Sequence, residues 1–263
     1  LPKRPLLSWK SIETSTPVVE GNVIYLGSAR GHAVFAVHRL RGQLLWERTV
    51  PGRIEASLAV GDGRVFAGDS KGWLLALDVA DGRVLWRQNL GGVILGSVTF
   101  DEKTVYAATA QNRIYALNPG TGEERWVYRH PAPTGLTVYG ASSPVVTEKY
   151  VITGFSDGSV VALDRSKGEV AWVHKIQSKA TFKDVDATPV VSDGRVYISS
   201  FRGEIVALNL EGGRLEWKKK PGGSTRLMVT NNEIIYGTDE GEVISREKRE
   251  GRELWRTTIP NGV

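Results

Sequence analysis

Asp184 and Asp186 stand two residues apart, just ahead of a Thr-Pro-Val-Val run, so both carboxylates can face one way. Such a pair can accept hydrogen bonds from a partner's arginine or backbone amides. The same residues would also serve as loop caps, or as ion pairs with Lys183 or Lys179. Leu136, Val138 and Tyr139 form a second candidate group, apolar residues in a loop flanked by Pro131, Pro133 and Gly140. Exposed, they would mark a partner surface; covered, they would be a small apolar cluster beneath the loop.

Catalytic chemistry finds little support. The histidines, His32, His38, His130 and His174, lack metal-ligand spacing and read as loop or strand-surface residues. With no cysteine, thiol catalysis, disulfides and cysteine-zinc sites are excluded, and redox compartment is not indicated. Asp157-Gly-Ser and Asp69-Ser-Lys-Gly read as turns, and no Gly-x-x-x-x-Gly-Lys phosphate loop occurs. We expect no catalytic residue, no metal and no cofactor: a binding protein, not an enzyme.

The elements that carry these residues are set by a repeat. Tryptophans at 9, 46, 86, 126, 172, 217 and 255 are separated by 37, 40, 40, 46, 45 and 38 residues. Strong copies of one pattern, Ala-Leu-Asp/Asn, then Gly, then Trp, end at Trp86, Trp126, Trp172 and Trp217, and weaker ones at Trp46 and Trp255. An upstream anchor recurs as Ser15-Thr-Pro, Ser57-Leu-Ala, Ser97-Val-Thr, Ser143-Pro-Val, Thr188-Pro-Val and Arg226-Leu-Met. From anchor to closing tryptophan the distance stays at 27 to 29 residues, the mark of a structural unit joined by loops.

One unit reads as four short strands. In the second copy these are 56–60, 64–67, 73–77 and 84–88, separated by Asp62-Gly63, Ser70-Lys71-Gly72 and Asp81-Gly82. Four antiparallel strands per repeat of about 40 residues make a β-propeller blade whose first strand lines the axis. The expected fold is therefore all-β, a single propeller domain over 1–263. It has six complete blades, plus a lone outer strand at Trp9. A sandwich or barrel would not repeat a tryptophan-terminated unit in this way.

The recurrent residues are read as structural. Trp46, Trp86, Trp126, Trp172, Trp217 and Trp255 offer an indole to the seam between blades. Ala76, Ala116, Ala162 and Ala207 leave room for it, and Gly82, Gly122, Gly168 and Gly213 permit tight hairpins. Function is sought in the irregularities. From closing tryptophan to the next anchor the spacers measure 8, 12, 12, 18, 17 and 11 residues. The two enlarged ones are consecutive, lie on one face, and contain both candidate groups; binding often sits on such loops.

Bulk properties agree with a globular domain. The chain has 263 residues, 41% apolar and 24% charged, with net charge +5. No apolar stretch approaches the ~20 residues of a membrane helix. No charged-then-apolar leader stands at Leu1, which fits either a removed export signal or none. Lys218-Lys219-Lys220 closes an outer strand as a solvated edge, and no basic stripe with interleaved aromatics suggests nucleic acid.

The repeat resembles the tryptophan-docking repeat of quinoprotein-type propellers, which include pyrroloquinoline-quinone dehydrogenases and the BamB family. Phe182-Lys-Asp-Val-Asp-Ala-Thr-Pro-Val-Val191 is similar to the Asp-Val-Asp-Thr-Thr-Pro-Val-Val run entering the fifth BamB repeat. Gly135-Leu-Thr-Val-Tyr-Gly-Ala-Ser-Ser-Pro144 resembles the Leu-Ser-Leu-Arg-Gly-Glu-Ser-Ala-Pro loop of that family. The resemblance implies a non-enzymatic scaffold of the outer-membrane β-barrel assembly machinery. It implies contact with the periplasmic domains of BamA, assistance to nascent outer-membrane proteins, and a lipid anchor on the periplasmic face of the outer membrane of a Gram-negative bacterium. Leu136 and Val138 match the family's two leucines, Tyr139 stands where the family has arginine, and Asp184 and Asp186 match the acidic pair.

That family has eight blades, with the N-terminal strand completing the last. This sequence supplies six and the strand at Trp9, so the expectation is part of an eight-bladed ring. The alternative function is a quinone- or other small-ligand-binding propeller, with its ligand on the central axis.

Overall fold

A computed structural model describes residues 15–131, 142–176, 187–200, 203–223 and 225–259. Among them every regular element is a β-strand. The strands form six four-stranded antiparallel sheets, each running in sequence order from its inner to its outer strand. These blades cover 18–49, 59–89, 99–129, 145–175, 190–219 and 228–258. The expected strand at Trp9 lies outside the described residues.

In the second blade the strands are Ala59–Gly61, Arg64–Gly68, Trp73–Asp78 and Val84–Asn89. Three match the sequence reading within a residue or so; the inner strand starts three residues later than the pattern suggests. The reason is geometric. Near the axis Ser57 bonds to the neighbouring blades instead of its own: its hydroxyl accepts from Thr16 N at 3.1 Å, and its carbonyl from Val98 N at 3.1 Å. The anchors at 97, 143 and 188 continue the pattern, with Ser97 N donating to Ser143 Oγ at 2.8 Å and Ser143 N to Thr188 Oγ1 at 3.4 Å. These bonds tie the first five blades to one another near the axis, through a Ser or Thr hydroxyl at three of the four joints.

The middle strands are covered on both faces, so their burial is continuous and not alternating, and they are almost wholly inaccessible. The core is a series of seams. One apolar cluster joins each successive pair of blades: Tyr25 with Leu75, Phe66 with Tyr115, Tyr106 with Val161, Ile152 with Val206, and Tyr197 with Ile234 belong to the five. Blades cannot bury both faces alone, so these seams hold the fold together.

The tryptophans are built into them by a repeated device. Ala76 pairs with Trp86, Ala116 with Trp126, Ala162 with Trp172 and Ala207 with Trp217, and the register shifts immediately after each alanine. That bulge turns the indole out of its own sheet toward the next blade. There its N–H donates to a carbonyl in the hairpin between the third and outer strands: Trp46 to Val79 at 2.9 Å, Trp86 to Pro119 at 2.8 Å, Trp126 to Arg165 at 3.1 Å, Trp172 to Leu210 at 2.8 Å and Trp217 to Lys248 at 3.3 Å. The ring lies on the turn glycine of the same hairpin. A Cβ at Gly82 would stand 2.5 Å from Trp46, and one at Gly122 2.6 Å from Trp86. Trp255, closing the sixth blade, is 43% exposed.

Candidate docking site

Leu136, Val138, Tyr139, Asp184 and Asp186 all fall in 132–141 and 177–186, outside the described residues. What the structure places are the four points where these two spacers leave and rejoin the blades. In a four-stranded meander those points share a face with the turn between the second and third strands, here Phe155-Ser-Asp-Gly158 of blade four.

The shorter spacers are tied down along their length. Gly52 N donates to Asp69 Oδ2 at 2.8 Å and Arg53 N to Ser70 Oγ at 3.0 Å, so the turn beneath holds residues 50–56 directly. Asp69 is fully buried, and its other oxygen caps its own turn through Lys71 N and Trp73 N. It is the structural turn residue expected from the sequence.

At the starts of the enlarged spacers backbone ties are joined by side chains: His130 N donates to Asn112 O and Ile176 N to Gly158 O, each at 2.9 Å. The outer strand Glu124–Arg129 of blade three delivers His130, and the outer strand Val170–Lys175 of blade four ends on Lys175. His130 Nε2 lies 3.2 Å from Asp157 Oδ1, out of line for a hydrogen bond, and Lys175 Nζ lies 3.4 Å from Asp157 Oδ2. The imidazole stacks on Phe155 with centroids 4.1 Å apart and planes 10° apart, and its Nδ1 meets the Tyr128 hydroxyl at 3.1 Å. Its side chain is only 8% exposed. The loop position is as the sequence suggests, but the stacked ring is covered and not exposed.

Asp157 is fixed from below. Ser159 N donates to Oδ1 at 3.0 Å and Ser159 Oγ to Oδ2 at 2.9 Å. Burial pushes this carboxyl up, but the two Ser159 hydrogen bonds and the His130 charge outweigh it and hold the group below the usual carboxylate range. It is therefore ionised at neutral pH.

The rejoining ends are tied to one another. Ser142, 2% exposed, donates its hydroxyl to Ala187 O at 3.2 Å and accepts from Gly154 N at 3.2 Å. Together with Ser143 N to Thr188 Oγ1, this joins the exit of the first spacer to the exit of the second. His130 and Asp157 escaped the sequence reading because a turn aspartate looks like any other. The available signal was position, the one turn lying between the two enlarged spacers.

Elsewhere, a cleft of about 960 Å³ runs along the inner strands, with Thr99, Phe100, Pro144, Thr188 and Arg226 among its lining. Among the described residues no three His, Asp or Glu side chains are grouped to hold a metal, and no helix is long and apolar enough to cross a membrane.

Comparison with known proteins agrees with this architecture. Residues 41–257 match the family model described as outer membrane protein assembly factor BamB. The protein of that name from Legionella pneumophila is 40% identical over 249 residues, covering 92% of this chain and 64% of the relative. The one from Escherichia coli K12 is 30% identical over 256 residues, 91% of this chain and 64% of its own length. The chain thus spans less than two thirds of these relatives. Among solved structures, BamB from Moraxella catarrhalis superposes with a TM-score of 0.83 at 21% identity, covering 93% of this chain and 76% of that one. Quinohemoprotein alcohol dehydrogenase from Comamonas testosteroni shares the fold at a TM-score of 0.67 and 14% identity, covering 95% of this chain and 67% of that one. On the strength of the family match and of the identity to two named relatives, the chain belongs to the BamB family of outer membrane protein assembly factors.

Proposed function

We propose that this chain is a non-enzymatic docking scaffold of outer-membrane β-barrel assembly, working at the periplasmic face of the outer membrane of a Gram-negative bacterium. Its partner in this reading is the set of periplasmic domains of BamA, with nascent outer-membrane proteins as clients and a lipid anchor holding the full-length protein to the membrane. The observation that carries it is the pairing of the two enlarged spacers. They are consecutive, leave the same face, and rejoin the blades at ends hydrogen-bonded to each other, in a chain whose relatives are named assembly factors.

Leu136, Val138 and Tyr139 supply the apolar part of the contact, and Asp184 and Asp186 the acceptors for cationic or amide donors. The test is capture of purified BamA periplasmic domains by the wild-type chain and by Asp184→Ala/Asp186→Ala. Loss of capture in the double variant, with an unchanged unfolding midpoint, supports the assignment. Capture at wild-type strength would sink it.

A further inference from the structure

We infer that Arg113 and Arg129 form an anion clamp on the docking face, shaped for an acidic side chain of the protein that docks there. The inference rests on the docking reading above and adds to it a contact made by blade three.

The two arginines are direct partners across the ladder between the third strand Arg113–Leu117 and the outer strand Glu124–Arg129. Like charges set opposite each other on adjacent strands repel and destabilise a sheet. Both side chains stand on the face turned toward blade two. Tyr115, two residues after Arg113, and Val127, two before Arg129, pack in the seam with that blade, and residues two apart share a face. The Arg113 guanidinium lies over the spacer arriving from blade two, with Nη1 3.7 Å from a Cβ placed on Gly91. Arg113 is half-buried and Arg129 exposed.

Nothing near them answers this charge. Neither guanidinium has an ion pair or hydrogen bond among the described residues. The runs 88–100, 103–122 and 126–147 hold no Asp or Glu, and they cover the spacer from blade two, the middle strands of blade three and the spacer that follows. Glu124 opens the same outer strand, but five residues of extended chain put it roughly 17 Å from Arg129. Asp69, on the matching turn of blade two, is buried with its oxygens held by Gly52 N, Lys71 N and Trp73 N.

The repeat supplies its own controls. On the same rung blade four sets Ser159 against Lys175, whose ammonium reaches Asp157 at 3.4 Å. Blade six sets Glu242 against Thr258, and that glutamate meets Arg256 at 2.9 Å. Blades one and two hold uncharged pairs there, Ala33 with Thr49 and Trp73 with Asn89, and blade five a single cation, Lys219 against Ile205. Blade three alone opposes two cations. Two guanidiniums on Cβ atoms about 5 Å apart can each offer N–H donors to one carboxylate. Docking would then relieve a repulsion that the free chain carries. A protein carboxylate is the fitting source, because Arg129 ends the strand that leads into the first enlarged spacer, on the face both spacers leave.

Arg113→Gln/Arg129→Gln tests this on the full chain with purified BamA periplasmic domains. Expected are about tenfold weaker binding and a shallower loss of affinity between about 0.05 and about 0.5 M salt. The thermal midpoint should rise by about 1–2 °C, because the repulsion is gone; a structural role, or a counter-charge elsewhere in the chain, would lower it. Arg113→Glu, which places opposite charges on the rung, should also raise the midpoint and bind as weakly. Lys103→Gln/Lys167→Gln removes the same charge from exposed turns on the opposite face and should leave affinity within about twofold of wild type. Wild-type affinity in the arginine variants, a lowered midpoint, or an equal loss in the lysine control would each overturn the clamp and leave the docking reading standing. If the wild-type chain binds no BamA domain, the docking reading falls and the clamp falls with it.

Discussion

Gly168 lies flat against the indole of Trp126, so close that a Cβ on the glycine would stand 2.5 Å from the ring's Cε3. The same glycine holds φ at +71°, a left-handed conformation that an L side chain resists. Two independent penalties thus meet at one turn. Gly168→Ala should cost about 3 kcal/mol, roughly 1 from the backbone and the rest from forcing the seam apart. Gly63 has φ at +69° and nothing within 4 Å of its would-be Cβ, so Gly63→Ala should cost only about 1 kcal/mol. Urea midpoints of the two variants check the difference; equal losses would mean that the indole contact contributes nothing.

Trp172→Phe removes an N–H that donates to Leu210 O at 2.8 Å and leaves a 7%-exposed pocket partly empty. A loss of about 2–3 kcal/mol is expected. Trp255 occupies the equivalent place in the sixth blade but is 43% exposed, so Trp255→Phe should cost less than about 1 kcal/mol. Denaturant unfolding of both variants makes the comparison directly.

These two contrasts show which parts of the architecture could be read from residues. Tryptophan, glycine and alanine recur at fixed spacing because each indole packs on a turn glycine, so blades, most strand boundaries and seam residues were legible. The target of each indole N–H was not, since a backbone carbonyl has no side chain to betray it. Ser57 was legible as an anchor but not as an inter-blade acceptor, which is why its strand reads too long. At the docking face the enlarged spacers stood out by length, whereas the His130–Asp157–Lys175 arrangement depends on two blades lying side by side. Leu136, Val138, Tyr139, Asp184 and Asp186 remain assigned by motif resemblance.

His174 provides a pH dependence. Burial holds its imidazole below the usual histidine value, with Lys218 adding to the effect and Gly213 opposing it. The folded state therefore binds its proton less readily than the unfolded chain. Stability from this site is fully present above the unfolded value of about 6.5 and declines as pH falls below it. Thermal midpoints at pH 7.5 and 5.5 should drop less in His174→Gln than in wild type. An identical drop would show that this ring does not set the acid sensitivity.

Lys248 is 3% exposed; its ammonium reaches back across the fifth seam to Ser192 Oγ at 2.8 Å and Asp193 Oδ2 at 2.6 Å, and bonds Thr230 O of its own blade at 3.1 Å. Its own carbonyl receives Trp217. Lys248→Met keeps the aliphatic stem and leaves these acceptors without their donor, a loss of about 2 kcal/mol. Asp193→Asn, at a solvent-facing carboxyl, should lower the unfolding midpoint less. A larger effect from the aspartate would contradict the burial argument.

Each seam is built from unlike halves: a projecting indole on one blade and a glycine turn on the next. Five indoles fill five such turns. On the first blade, nothing among the described residues comes within 4 Å of a Cβ placed on Gly42, whose φ of +63° matches the filled turns. On the sixth, the Trp255 indole stands open to solvent. The open turn at Gly42 and the open indole at Trp255 are the two unlike halves of one more such joint. Because every filled joint runs from an indole on one blade to a glycine turn on the next, the six stacked blades have a direction as definite as that of the polypeptide.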